Sequence, residues 1–244
     1  MRVKCICSYD GSSYNGYQRQ PGTKTIQGTI EEVLKQITKE DIIIYSSGRT
    51  DAFVHAHGQV FHFDTNVKMK ENNWKRAMNS LLPDDIYIKE IEFVSDDFHS
   101  RFSLKKKEYR YYINYQEFNP FYDHFSTNAF NLDIDKMKEA INHFIGTHDF
   151  RGFAGDTKDK NTIRTIYEAK INDLGKVLEI TFIGNGFLKY MVRIMVGTLI
   201  EIGLGKKESS IIDEVFVSLN RNQAGKTAEA KGLFLYNVYY LLNI

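Results

Sequence analysis

The densest run of residues able to do chemistry is Ser46-Ser47-Gly48-Arg49-Thr50-Asp51-Ala52. A cation and hydroxyls beside Asp51 favour its ionised form. An ionised aspartate can serve as nucleophile or general base. The same residue types also build an Asx turn, in which Asp51 only bonds its own backbone. A second cluster is His55-Ala56-His57 with His62, Asp51 and Asp64 nearby. It offers nitrogen and oxygen ligand types, but its spacing matches no strong metal signature. A third run, Lys105-Lys106-Lys107-Glu108-Tyr109-Arg110-Tyr111-Tyr112, interleaves aromatic faces with cations. Such a pattern suits stacked bases and phosphates, and equally a solvated sheet edge.

These residues need elements to position them. Arg2 to Tyr9 alternates Val3, Cys5 and Cys7 with Lys4, Ile6 and Ser8, a strand pattern. Thr25 can cap a helix in which Ile26, Ile30, Val33, Leu34 and Ile37 share a face. Ile42 to Tyr45 is β-branched and short, which predicts a buried strand feeding the Asp51 loop. Gln59 to Asp64 reads as a strand. Trp74, Ala77, Met78 and Leu81 stripe a helix that Pro83 ends. Ile86 to Val94 completes an order β-α-β-β-α-β. The second half repeats it, with strands at Lys106–Tyr115, Ile163–Asn172, Lys176–Gly184 and Leu233–Leu241. Its helices are a Met137–Phe144 stripe and the apolar run Phe187–Gly203, with an extra helix at Ser209–Leu219. That order predicts an α+β fold of two ferredoxin-like halves with antiparallel sheets, residues 1–104 and 105–244, and a cleft between them.

The composition fits that reading. The chain has 244 residues, 42% hydrophobic and 26% charged, with a formal net charge of +1. This excludes a disordered chain, a fibre and a disulfide scaffold. No apolar run approaches the ~18 residues of a membrane span, and no secretory signal is visible at Met1-Arg2-Val3-Lys4-Cys5. Cys5 and Cys7 lie on one strand face, about 7 Å apart, too far for an easy disulfide. A reduced, cytoplasmic protein is expected. The neutral balance leaves nucleic acid open, because a basic groove can hide inside a balanced total.

Gly48-Arg49-Thr50-Asp51-Ala52, with Val54-His55-Ala56 and Gly58-Gln59-Val60, resembles the signature of the TruA family of tRNA pseudouridine synthases. Four further blocks resemble that family in the same order. They are Tyr9-Asp10-Gly11 with Gly16-Tyr17-Gln18-Arg19-Gln20; Asp97-Phe98-His99-Ser100-Arg101-Phe102-Ser103 with Tyr109-Arg110-Tyr111; Gly184-Asn185-Gly186-Phe187 with Met191-Val192-Arg193 and Val196-Gly197-Thr198-Leu199; and Ala230-Lys231-Gly232-Leu233. Five separated blocks in order are far more specific than any one of them.

The resemblance implies isomerisation of uridine to pseudouridine at positions 38, 39 and 40 of the tRNA anticodon stem-loop. It implies no cofactor and no metal, two α/β halves joined side by side, and a homodimer whose subunits both contact tRNA. Asp51 matches the catalytic aspartate, Tyr109 the tyrosine that packs on the target uracil, and Arg193 the arginine that pairs with that aspartate. Arg49 is expected to hold the flipped nucleotide or its phosphates. Taking a base from a paired stem costs a few kcal/mol; Arg19, Arg101, Lys105, Lys106, Arg110, Lys189 and Lys231 are candidates to offset that cost. The sequence departs from the family at Phe53, where glycine is common, at Tyr17, where tryptophan is common, and at Glu229, where proline is common. Two rival functions follow from the residues alone: a metal-dependent hydrolase built on His55 and His57, and an RNA-binding protein without catalysis.

Overall fold

A computed structural model describes residues 1–156 and 160–240. In chain order the elements are β1 (Arg2–Tyr9), α1 (Ile26–Thr38), β2 (Tyr45–Ser46), β3 (His55–Asp64), α2 (Glu71–Leu81), β4 (Ile86–Val94), β5 (Leu104–Asn114), α3 (Pro120–Asp123), β6 (Thr127–Asn128), α4 (Ile134–Ala140), β7 (Gly146–Asp149), β8 (Ile163–Asp173), β9 (Val177–Gly184), α5 (Met191–Gly203), α6 (Ile211–Ser218) and β10 (Leu233–Tyr240). Leu241, expected to end the last strand, lies outside the described residues. The chain divides into two compact units: Met1–Lys105 together with the chain from Phe234 on, and Lys106–Leu233. The last strand, expected with the second half, therefore belongs to the first unit. It runs parallel to β3, with Phe234 opposite His55 and Leu235 opposite Ala56.

In the first unit β1 lies between β4 and β3, antiparallel to both. Its alternation is real, for Val3, Cys5, Cys7 and Tyr9 are buried. Both cysteines are free thiols on that face. Burial raises the Cys7 thiol far above its ordinary range. Thr25 caps α1 by accepting from the Gly28 N–H at 3.3 Å, and Ile26, Ile30, Val33 and Leu34 form its buried stripe. On α2, Trp74 and Met78 are buried, and the indole packs edge-on against Phe63 at 5.5 Å. Leu81 is instead exposed, and Leu82 takes the buried place. Leu82 has already left the helix for extended backbone, as a residue before proline must.

In the second unit β5, β9, β8 and β7 form an antiparallel run in that spatial order, and β6 adds parallel to β5. The β8–β9 turn closes through Leu174 N–H to Val177 O at 3.0 Å, with Gly175 at φ +88°. The core holds Phe144, Phe150, Phe153 and Phe182, ring against ring. Helix α4 packs on α5. Strands β6 and β7 and the single turn α3 carry no periodicity visible in the sequence. The apolar run from Phe187 does not start the helix: α5 begins at Met191, after Tyr190 at φ +61°.

Candidate active site

The Asp51 loop joins β2 to β3 within the first unit. Strand β3 is buried along nearly its whole length, so the loop leaves from a rigid base. Gln59 stitches the near side. Its Oε1 accepts from the Ser47 hydroxyl at 2.7 Å, and its Nε2 donates to Gly48 O at 2.9 Å. Tyr17 N–H donates to Thr50 O at 3.1 Å, and Phe53 N–H donates to Tyr14 O at 3.3 Å. The buried Thr50 hydroxyl meets the Tyr9 hydroxyl at 2.8 Å. Val54 N–H closes a turn onto Asp51 O at 3.3 Å.

Two glycines let neighbouring chain press on this loop. A Cβ on Gly11 would lie 2.1 Å from Val54 O, and one on Gly16 would lie 3.0 Å from Thr50 O. The Tyr-Asp-Gly and Gly-Tyr-Gln blocks are thus the loop's clamp, a role their residue types did not reveal. The result is a half-buried Asp51 between a buried Thr50 and an exposed Phe53, with Arg49 exposed two residues earlier. Phe53 stands at φ +66°, a backbone region that favours glycine.

The histidines serve packing and positioning. His55 is fully buried. Its Nδ1 accepts from Gly11 N–H at 3.1 Å, and its ring stacks on Phe234 at 4.7 Å. His57 stacks on the same ring at 5.3 Å. His62 Nδ1 accepts from Ser100 N–H at 3.2 Å and meets the Ser100 hydroxyl at 2.8 Å. Burial, with His99 and Arg2 adding repulsion, pushes the His62 pKa down to about 4. Asp64 is ion-paired to Arg2 at 2.8 Å. Among the described residues, no group of three or more His, Cys, Asp and Glu is arranged to hold a metal ion.

The second unit carries the other candidates. Tyr109 is buried on β5, its ring edge-on to Phe187 at 4.9 Å. Two residues on, Tyr111 is fully buried and donates to Glu229 O at 2.8 Å. Arg193, half-buried near the start of α5, donates from Nε to Ala228 O at 2.7 Å. Its guanidinium lies 5.2 Å from the Tyr190 ring centroid. The Ala228 N–H returns a bond to Arg193 O at 3.0 Å. Segment 228–232 is therefore tied to both Tyr111 and Arg193, which accounts for the last of the five blocks in the sequence pattern. A Cβ on Gly232 would meet the Tyr111 ring at 2.8 Å.

The candidate RNA-binding cations differ in what already holds them. Arg101 and Lys105 are exposed in the first unit. Arg19 is largely exposed and touches Glu31 at 3.2 Å. Arg110 lies between Glu108 at 2.7 Å and Glu179 at 2.9 Å. Partial burial opposes its charge, but the two carboxylates outweigh that and raise its pKa. Lys231 is held by Asp123 at 2.8 Å and Glu229 at 3.5 Å. A phosphate would have to compete with these carboxylates, so Arg110 and Lys231 are weaker phosphate ligands than their charge alone predicted.

The chain matches a family model described as tRNA pseudouridine synthase over residues 6–103 and 140–241. It is 45% identical over 243 residues to tRNA pseudouridine synthase A of Geobacillus kaustophilus, covering 98% of this chain and 94% of that protein. The namesake of Geobacillus sp. strain WCH70 is 46% identical over 243 residues, covering 98% of each. That of Bacillus subtilis is 45% identical over 246 residues, covering 98% of this chain and 99% of that protein.

Proposed function

This chain belongs to the tRNA pseudouridine synthase family, and on that premise we propose that it isomerises uridines at positions 38, 39 and 40 of the tRNA anticodon stem-loop, with Asp51 as the catalytic carboxylate. The activity class is an isomerase acting on uridine in tRNA. The uracil N1–C1′ bond breaks, the base turns, C5 bonds to C1′, and the C5 proton is passed to N1. Every atom is conserved, so no energy donor is required. An ionised Asp51 suits each way of starting that sequence: attack on the sugar, attack on the base, or removal of a sugar proton. Tyr109 is the ring against which a rotating uracil can slide. Arg193 is the cation that keeps the reacting carboxylate charged. Arg49 holds the flipped nucleotide, and Arg19, Arg101 and Lys105 contact the RNA backbone.

The observation that carries this reading is the clamped loop. Bonds from Tyr14, Tyr17 and Gln59, with two close glycine approaches, hold a half-buried aspartate in one place. Preorganisation of that kind is what a reacting carboxylate needs. We place the enzyme in the cytoplasm as a homodimer. Among the described residues no helix is long and apolar enough to cross a membrane.

The test uses unmodified tRNA transcripts with uridine at the three positions, the full chain, EDTA, and site-by-site mapping of pseudouridine. Asp51→Asn keeps the shape and removes the charge. It is expected to fold, bind tRNA and give no product. Normal turnover by Asp51→Asn refutes its catalytic role, and chelator-sensitive turnover revives the metal-dependent alternative.

A further inference from the structure

Among the exposed large apolar side chains of the first unit, Phe102 is the most exposed, at 77%. It is not a loose ring. It stands on the turn His99–Ser103, which is closed by Ser103 N–H to His99 O at 2.9 Å and by His99 N–H to the Ser103 hydroxyl at 3.0 Å. Inside the turn, Arg101 N–H donates to His99 Nδ1 at 3.1 Å. The Phe102 ring leans on His99, centroids 4.3 Å apart and planes 35° apart. His99 in turn meets His62 at 4.8 Å. Tyr45, itself 48% exposed, stacks on His62 at 5.3 Å and 22°. The pile thus rests on the fully enclosed His62, which Ser100 holds from two atoms.

Beside the open ring stands the exposed Arg101, its guanidinium carbon 6.0 Å from the Phe102 centroid. Among the described residues no carboxylate pairs with it, unlike Arg110 and Lys231. A flat apolar face next to an unneutralised cation fits a nucleotide, with the base on the ring and the phosphate on the guanidinium. A protein partner with an apolar face would leave the Arg101 charge uncompensated.

We propose that Phe102, propped on His99 and flanked by Arg101, is a stacking platform for a nucleobase of the RNA substrate, separate from the residues assigned to the reacting uridine. The platform rests on the reading of tRNA as substrate and adds a named contact to it. Because Phe102 buries little of itself in the protein, its removal leaves the fold intact. Its loss acts on RNA binding.

The experiment measures tRNA affinity over a range of salt concentrations for the full chain and two variants. Phe102→Ala is expected to weaken binding about 5- to 150-fold, the worth of one aromatic–base stack. It should leave the salt slope unchanged, because no phosphate contact is lost. Arg101→Ala is expected to lower that slope by about one. A Phe102→Trp variant in a Trp74→Phe background reports stacking directly. Trp74 is the sole tryptophan, so the new indole is then the only one. Its fluorescence should be quenched on tRNA binding. Unchanged affinity for Phe102→Ala, or an unquenched indole in a tRNA-bound protein, overturns the platform. The parent reading is scored separately, by pseudouridine mapping on the unmutated chain. Product formation with no effect at Phe102 refutes only the platform; quenching without product refutes only the catalytic assignment.

Discussion

Phe53 offers a test of how the Asp51 loop is held. Its φ of +66° places a bulky side chain in left-handed backbone, and its ring is 50% exposed. A non-glycine residue there carries roughly 1–2 kcal/mol of strain. Full burial of a phenylalanine stabilises by about 1.5–3 kcal/mol, so a half-exposed ring returns about 0.7–1.5. Phe53→Gly removes both the strain and the ring, and adds about 0.4–1 kcal/mol of chain entropy to the unfolded state. These contributions nearly cancel, and the variant should lie within about 1 kcal/mol of the parent. Phe53→Ala loses the ring but keeps the left-handed strain. It should be about 1 kcal/mol less stable than the parent and less stable than the glycine variant. For a chain of this size that is a Tm shift of about 2–4 °C. Trp74, fully buried in the same unit, reports unfolding of that unit by fluorescence. The refuting result is an alanine variant more stable than the glycine variant, which would mean that the strain stored in the left-handed backbone at Phe53 is smaller than the about 0.4–1 kcal/mol of chain entropy that glycine adds to the unfolded state. Position mapping on tRNA with the same variants asks whether the ring tunes the loop; an unchanged pattern in Phe53→Gly removes Phe53 from site selection.

Two further outcomes follow from the first unit. His62 titrates near 4 when folded against about 6.5 when unfolded, so the unfolded chain binds the extra proton first; stability is intact above about pH 6.5 and falls as pH drops toward 4, by about 2 kcal/mol at pH 5. His62→Gln should flatten that part of the urea-midpoint profile, and an unaltered slope would show that His62 is not its source. Gly11→Ala places a Cβ 2.1 Å from Val54 O, and should destabilise by about 1–3 kcal/mol and lower turnover by displacing the Asp51 loop; wild-type kcat in a folded Gly11→Ala protein would show that this clamp is dispensable.

Much of the local structure was legible in residue order. The alternation of β1, the Thr25 cap and the Trp74–Met78 stripe each depend on neighbours a few residues away, and all three appear. The segment Ile42–Tyr45 shows where local reading fails. Ile42 and Ile44 are buried, but Ile43 is 60% exposed and ladder pairing with β3 covers only Tyr45 and Ser46. The Ile44 N–H bonds instead to the Glu31 carboxylate at 3.2 Å. A side chain thirteen residues earlier in the chain replaces a strand partner, and β-branching cannot announce that. Tyr190 likewise interrupts a largely apolar, helix-like run with a left-handed residue, and hydropathy carries no sign of φ.

The site follows the same division. Arg49, Thr50 and Asp51 were legible by residue type, because a cation and a hydroxyl stand beside the carboxylate in the sequence itself. Their clamp did not, because it consists of backbone bonds and glycine approaches from residues far away in the chain. The cations divide by the same logic. Arg101 and Arg110 look equivalent in sequence, each beside an aromatic ring. Arg110 meets Glu108 on its own strand and Glu179 on the neighbouring one, while Arg101 stands on a turn whose bonds are made by backbone N–H groups and by the His99 and Ser103 side chains and leave the guanidinium out. A charge is available to RNA only when the fold has not already answered it. If that distinction governs binding, Arg101→Ala should reduce the salt dependence of tRNA affinity more than Arg110→Ala does; equal effects would mean that the carboxylates around Arg110 yield to phosphate.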